Sequence, residues 1–292
     1  MKVFNTVKDL QHHLGSIKAS PKGFVPTMGA LHKGHLSLIE KSLLECPLTT
    51  VSIFVNPTQF NDKNDLERYP RTPQKDLSLL SEILRTDDAV FIPPVKEVYP
   101  AGLKIENYDF GKLDKVMEGI YRPGHFNGVA QVVSRLFDIV KPDRAYFGQK
   151  DFQQLVIVRE LVRKKGLPVK IIGCPIVREP DGLAMSSRNI LLEPSLREKA
   201  GIIFKTLSDA SEMLKDSDIP EIKEFVASTI NSTPGFKLEY FEIVDENELQ
   251  PVSRKNSMLE DKKYFGCIAV WAGKIRLIDN IEFRHPYSKK VH

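Results

Sequence analysis

His32 and His35, three residues apart on either side of Lys33 and Gly34, are the side chains in this sequence with the most chemistry to offer. Imidazoles placed this way can both donate hydrogen bonds to phosphoryl oxygens as charge moves during a transfer. Gly29 and Gly34 permit a tight turn and close backbone approach, and the first free amides of a helix starting there form an anion site. The stretch Met28-Gly29-Ala30-Leu31-His32-Lys33-Gly34-His35 therefore reads as a phosphate-cradling turn. Two other readings stand beside it. The histidines could ligate a metal, although no Cys or acidic residue stands nearby at a supporting spacing, or they could be capping and surface residues. Four residues alone leave adenylyl transfer and these readings open.

Other segments carry polar groups suited to the same task. Asn56 and Gln59 lie in Asn56-Pro57-Thr58-Gln59-Phe60, just past an apolar run; polar turn chemistry is the plainer explanation of that loop alone. Arg122-Pro123-Gly124-His125 precedes a helical pattern and is either a second ligand-facing loop or an ordinary turn. Gly148-Gln149-Lys150-Asp151 combines a turn glycine with a lysine at a helix entrance, where Asp151 is the expected N-cap and Gln154 follows one turn along. Met185-Ser186-Ser187-Arg188 presents hydroxyls and a guanidinium together, donors suited to a triphosphate but also common in loops. The run Arg163-Lys164-Lys165-Gly166 reads as a solvated helix end with a glycine cap.

The elements that must position these groups alternate between strand and helix. Gly23-Phe24-Val25, Thr49 to Val55, Ala89 to Ile92, Arg144 to Phe147 and Val169 to Gly173 are short apolar or β-branched runs of buried-strand type. Helical patterns cover Val7 to Ile17, with Thr6 as N-cap, Leu36 to Leu44, and Gln74 to Leu84, with Pro73 in the first turn. Asp87 and Asp88 are expected to be solvated turn residues. This alternation predicts an α/β fold with a Rossmann-like, doubly wound parallel sheet, whose ligands collect beyond the carboxyl ends of its strands. A change of composition at Val177-Arg178-Glu179-Pro180-Asp181-Gly182 suggests a hinge. Two domains are expected: residues 1–176 binding the substrates and residues 177–292 forming a smaller α+β lid. The latter has helical patterns at Pro194 to Leu214 and Pro220 to Ile230, then strands from Leu238, Tyr264 and Ile275, with a hairpin turn at Ala272-Gly273-Lys274.

Bulk properties narrow the class. A chain of 292 residues, 41% hydrophobic and 27% charged, is ordinary globular material. Its 42 basic and 38 acidic residues give a net charge of +4, too slight an excess to argue for a nucleic-acid or membrane surface. Cys46, Cys174 and Cys267 are widely spaced and form no C-x-x-C motif, which suits a reduced, cytoplasmic setting. The N-terminus lacks a signal-peptide core, and no apolar run is long enough to span a bilayer.

His-x-Gly-His at 32–35 resembles the signature of the nucleotidyltransferase superfamily that includes class I aminoacyl-tRNA synthetases. The ordered set is more specific. PTMGALHKGH at 26–35, FVNPTQF at 54–60, YPRT at 69–72, RPGHFNGV at 122–129, FGQKDFQQ at 147–154, VREPDGLAMSSRN at 177–189 and RLIDN at 276–280 are together similar to the pantothenate synthetase (pantoate:β-alanine ligase) family. Gln149 stands where many members carry an acidic residue. The resemblance implies ATP-dependent condensation of (R)-pantoate with β-alanine through a pantoyl adenylate, giving pantothenate, AMP and diphosphate. It implies ATP, with Mg2+, on residues 28–35, Gly148, Gln149, Lys150, Asp151, Val177, Met185, Ser186, Ser187 and Arg188, with His32, His35 and Lys150 in the chemistry. Gln59 and Gln154 would hold pantoate and Gln59 also β-alanine, with Asn56 and His125 as second-rank candidates. It implies a homodimer, no resident metal site, and no nucleic-acid or membrane partner. The rival classes are another adenylyl transferase of the same superfamily and a non-catalytic nucleotide-binding regulator. A synthetase would be expected to carry a tRNA-binding extension, and a regulator would not need both histidines.

Overall fold

Short apolar runs, each closed by a proline, glycine or polar turn, alternate with amphipathic helices in the N-terminal half, and a computed structural model describes residues 1–61, 63–104 and 106–284. In chain order the elements are β1 (Lys2–Phe4), α1 (Val7–Ser16), β2 (Lys22–Thr27), α2 (Lys33–Glu45), β3 (Leu48–Ile53), α3 (Lys63–Arg68), α4 (Pro73–Ile83), β4 (Ala89–Phe91), α5 (Val95–Val98), α6 (Glu118–Tyr121), α7 (His125–Val140), β5 (Arg144–Gly148), α8 (Phe152–Lys165) and β6 (Lys170–Cys174). They continue with α9 (Pro194–Arg197), α10 (Ile202–Met213), α11 (Ile219–Ser232), β7 (Phe236–Asp245), β8 (Tyr264–Ala272) and β9 (Ile275–Phe283). The chain forms two compact units. One comprises Met1–Phe110, Tyr121–Gln149 and Ile157–Pro175; the other comprises Gly111–Ile120, Lys150–Val156 and Ile176–His292.

The first unit holds a six-stranded parallel sheet in the order β1-β4-β3-β2-β5-β6. The chain runs outward from β2 through β3 to β4 and then returns to place β5 on the other side of β2, so the direction of winding reverses between β2 and β5. Crevices outside the carboxyl ends of strands at such a reversal are where open α/β sheets bind ligands. Registers of Thr27 against Ile53 and Gly148 against Cys174 bring the strand ends to one edge. Val25, Val51, Val90 and Tyr146 pack with Ile39 of α2 and Leu80 of α4. β1, which carries no sequence signal of its own, completes the sheet by pairing Lys2 with Ala89.

The second unit contains the antiparallel sheet β7-β8-β9, buried on both faces. Alternation along β8 sends Ile268 and Val270 into a core with Ile203 and Leu207 of α10 and Ile222 and Val226 of α11. Phe265 and Cys267 point the other way, onto Met117, Phe152 and Val156. The second face is thus covered by segments from much earlier in the chain. Asp218 caps α11 with a complete capping box, its carboxylate accepting from the helix backbone while Glu221 reaches back.

Two expectations change. The single pattern from Pro194 to Leu214 is interrupted between α9 and α10, where Gly201 lies so close to the backbone of Asp181 that a Cβ there would stand 2.5 Å from its carbonyl oxygen. Asp88 is buried rather than solvated; its carboxylate accepts from Thr49 N at 2.8 Å, from Arg85 N at 2.8 Å and from the Arg85 guanidinium. Asp87 does lie at the surface, beside Lys2.

Candidate active site

The turn after β2 is built around Gly29 and Ala30, both left-handed, with φ of 79° and 48°. Glycine tolerates this and alanine does so at a cost. A buried carboxylate offsets it: Asp76 of α4 accepts from Ala30 N at 2.9 Å and Leu31 N at 2.8 Å, and Thr72 Oγ1 donates to it at 3.1 Å. A Cβ on Gly29 would stand 3.0 Å from the same carboxylate, so the turn and the acid fit closely. No local pattern in the sequence points from Asp76 to a turn 45 residues earlier, and the reading from motifs missed it.

His32 is the N-cap of α2, and its Nδ1 accepts from Gly34 N at 3.2 Å. That bond makes Nδ1 the acceptor and places the proton of a neutral His32 ring on Nε2. His35 lies one turn along with its ring centroid 4.1 Å from that of His32. Met28, Gly34, His32 and His35 are partly exposed and Lys33 is open to solvent, whereas Gly29 and Leu31 are buried beneath them.

The loop after β3 meets this turn. Asn56 is buried, donates to Gln59 Oε1 at 3.2 Å and to the Gly128 carbonyl at 3.1 Å, and accepts from Tyr99 Oη at 3.0 Å. Gln59 Nε2 then points to Met28 Sδ at 3.2 Å. His125 Nδ1 donates to the Gln59 carbonyl at 2.8 Å, which leaves Nε2 to accept from Arg122 at 3.1 Å. A Cβ on Gly128 would lie 2.3 Å from the Thr58 carbonyl oxygen, so α7 approaches this loop as only glycine allows. Within the first unit, then, Met28, Asn56, Gln59 and His125 come together with Arg122. Gly148 and Gln149 leave β5 at the carboxyl edge of the same sheet.

The remaining candidates belong to the second unit. Lys150 and Asp151 finish a 3-10 turn that runs directly into α8, so Asp151 stands one place ahead of the helix and its carboxylate lies 3.9 Å from Lys150 Nζ. Gln154 is partly exposed on the first turn of α8. Its neighbour Gln153 is buried, donates to the carbonyls of Leu113 and Val116 at 2.7 and 2.9 Å, and accepts from Glu118 N at 3.0 Å. The pair splits between one glutamine that holds the 111–120 segment and one that remains for solvent or ligand.

Residues 177–185 form a hairpin. Met185 N donates to the Val177 carbonyl at 3.0 Å, Arg178 bridges Ala184, and Gly182 makes the turn at φ 88°. Val177 and Met185 are therefore cross-strand neighbours, and Ser186-Ser187-Arg188 leave directly from the hairpin, with Ser186 Oγ accepting from Arg188 N at 3.3 Å. Among the described residues no cluster of three or more His, Cys, Asp or Glu side chains could hold a metal ion.

A parallel sheet with its winding reversal beside a histidine-bearing, helix-initiating turn, met by the Gln59 amide that His125 and Arg122 hold from behind, defines a nucleotide-binding α/β enzyme of the phosphoryl- or adenylyl-transferring class. The profile of the pantoate-beta-alanine ligase family matches residues 2–282, and the chain belongs to that family. It is 54% identical over 286 residues to a pantothenate synthetase of Azobacteroides pseudotrichonymphae genomovar. CFP2, covering 97% of this chain and 100% of the relative, and 52% identical over 287 residues to that of Bacteroides thetaiotaomicron, covering 97% and 99%. The crystal structure of pantothenate synthetase from Thermus thermophilus matches with a TM-score of 0.89 at 40% identity, over 97% of this chain and 100% of that one. The Francisella tularensis pantoate-beta-alanine ligase, complexed with beta-gamma ATP and beta-alanine, matches with a TM-score of 0.77 at 37% identity, over 96% and 97% of the two chains.

Proposed function

We propose that this chain condenses (R)-pantoate with β-alanine at the expense of ATP, through a pantoyl adenylate. Family membership carries the reading, and the convergence of Met28, Asn56, Gln59 and His125 beside His32 and His35 supports it. The ATP and β-alanine of the Francisella ligase complex support the same ligands here. In the first step a pantoate carboxylate oxygen attacks the α-phosphorus of ATP, and diphosphate leaves with the electron pair of the broken P–O bond. In the second the β-alanine amine attacks the acyl carbon, the amide bond forms, AMP departs and the amine proton passes to solvent.

Such a transfer asks the protein for position and charge stabilisation rather than for a nucleophile. His32 donates through Nε2 and His35 beside it, at the start of α2, on a turn whose own amides are held from behind by Asp76. Lys150, Ser186, Ser187 and Arg188 hold the charged tail, Gly148, Gln149, Asp151, Val177 and Met185 complete the nucleotide contacts, and Gln59 and Gln154 bind pantoate. Mg2+ accompanies ATP as part of the substrate. The same reading makes the enzyme a cytoplasmic homodimer, which light scattering on the purified chain checks. AMP formation that requires both pantoate and β-alanine is the direct test. Labelled diphosphate should exchange into ATP with pantoate alone. AMP formation independent of pantoate would overturn the assignment.

A further inference from the structure

Arg276-Leu277-Ile278-Asp279-Asn280 is a motif to which neither the sequence nor the reaction assigns a task, and it occupies the middle of edge strand β9. Alternation places Leu277 and Asp279 on one face and Arg276 and Asn280 on the other. Leu277 enters the core under α10 and α11. Asp279 follows it onto that apolar face and is 4% exposed, a costly place for a carboxylate unless it is paired. Its partner is Arg178, which donates at 2.6 and 3.0 Å in a two-pronged pair, donates again to the carbonyls of Gly182 and Asn280, and stacks 3.8 Å above the Phe204 ring. Arg178 is the residue of the 177–185 hairpin that lies between Val177 and the turn. Through it, Asp279 fixes the hairpin from which Ser186, Ser187 and Arg188 emerge.

On the opposite face Asn280, 3% exposed, donates to the Lys150 carbonyl at 3.0 Å. That bond sets the peptide plane joining Lys150 to Asp151, in the turn just ahead of α8. The neighbours Asp279 and Asn280 are further locked to each other, Asn280 N donating to Asp279 Oδ1 at 2.7 Å. One dipeptide therefore grips both segments of this unit that carry candidate phosphate-holding groups, each from its own side of the strand. Arg276 anchors a third segment, pairing with Glu118 and Glu239.

We propose that Asp279 and Asn280 are positioning residues for the nucleotide, setting Lys150 through its backbone and Ser186 to Arg188 through Arg178. The inference rests on the reading of the chain as an adenylate-forming ligase. A double-mutant cycle between Asn280→Ala and Lys150→Ala tests it, read as pantoate-dependent exchange of labelled diphosphate into ATP and as calorimetric binding of a non-hydrolysable ATP analogue. Displacement of a reacting group by a remote substitution can cost about a hundredfold in rate. Asn280→Ala alone should therefore lose about ten- to a hundredfold in kcat/KM for ATP at unchanged pantoate affinity. Added to Lys150→Ala it should lose little more, because the two act through one group. Asn280→Asp, which cannot donate to the carbonyl, should match Asn280→Ala, whereas Arg178→Lys should weaken ATP-analogue binding by the separate route through the hairpin. A purely structural role would lower the unfolding midpoint while leaving the kinetics of the folded enzyme within twofold of wild type. That result, or full additivity with Lys150→Ala, overturns the proposal. Absence of exchange in the wild-type enzyme would instead overturn the ligase reading beneath it.

Discussion

Replacing Asp76 perturbs the turn that presents His32 and His35 without touching either histidine. Its carboxylate accepts two backbone amides, at 2.9 and 2.8 Å, from a turn whose Ala30 stands at φ 48°. A hydrogen bond to a charged group contributes about 1.5 to 3 kcal/mol, so the two together stabilise the turn by about 3 to 6 kcal/mol. A left-handed alanine opposes this by about 1 to 2 kcal/mol. Asp76→Ala should destabilise folding by the larger sum, since the buried Leu31 amide is left without its acceptor. Asp76→Asn keeps one acceptor and turns an N–H group toward the second amide, so its loss should be about half, or about 1.5 to 3 kcal/mol. Urea unfolding measures the stability, and calorimetry with a non-hydrolysable ATP analogue measures the site. Analogue affinity should fall by at least about tenfold in Asp76→Asn, because about 1.4 kcal/mol of lost preorganisation is a factor of ten. Ala30→Gly introduced into Asp76→Asn should restore about 1 kcal/mol of stability by removing the left-handed penalty. If Asp76→Asn shifts stability by less than about 0.5 kcal/mol, the range of ordinary surface changes, and leaves analogue affinity within twofold, the carboxylate does not hold this turn.

Four further outcomes are expected. His35→Ala should lower single-turnover adenylation by about a hundred- to a thousandfold, the usual loss of one transition-state donor, with ATP affinity nearly unchanged; near-normal adenylation would remove His35 from the chemistry. Gln59→Leu should weaken pantoate binding by about 1 to 3 kcal/mol through an unpaired buried ligand group, and equal losses for ATP and pantoate would show a general disturbance instead. Hydrogen bonds from Lys41, Tyr146 and Arg144 hold the Glu45 carboxyl down at about 2. The stability this contributes is complete above the unfolded value of about 4.3 and is lost as pH falls toward about 2, so Glu45→Gln should be less stable than wild type at pH 7 and the difference should close in acid; a gap independent of pH would refute it. Burial pushes the Cys174 thiol up to about 11 and that of Cys267 higher still, so both should resist a thiol reagent at pH 8 until the protein is unfolded, and rapid labelling of the native enzyme would contradict that burial.

The parallel sheet is legible because each of its central strands is a short apolar run with a stop signal, and Val51 or Val90 needs no distant partner to declare itself. Asn56 and Gln59 are visible as a polar pair after a strand for the same local reason. What escapes the sequence is fixed by long-range hydrogen bonds. Asp76 lies on a helix whose own pattern is satisfied without it, and Asp88 looks like any polar turn until its carboxylate meets Thr49 N across the sheet. Gln153 and Gln154 are adjacent and chemically identical, and only the direction of the first turn of α8 decides which is buried. The segment 111–120 contributes Met117 to the second face of a sheet formed more than a hundred residues later, a pairing no local periodicity encodes.

These hidden residues share a character that follows from the chemistry. An enzyme that needs no protein nucleophile depends on holding donors still, and a donor is held still by what lies behind it. His32 can keep its proton on Nε2 because Gly34 N occupies Nδ1, and the turn carrying His32 stays closed because Asp76 occupies its amides. Gln59 is aimed by Asn56 and His125 from two sides at once. Asp76, Asn56 and His125 are all buried and engaged, so the loss of any of them strands a partner in a place water does not easily reach, which costs more than a lost surface contact. Substitutions one layer behind the ligand should therefore rival those of the contacting residues in their effect on ATP turnover. They should differ from them in lowering thermal stability further. Asp76→Asn set beside His32→Ala makes the comparison: both should impair exchange, but the former, which disturbs the bonds of two backbone amides to a buried acid, should lower the unfolding midpoint by more than the latter, which loses one helix cap. Equal midpoints for the two would mean that the buried acid serves the ligand rather than the turn.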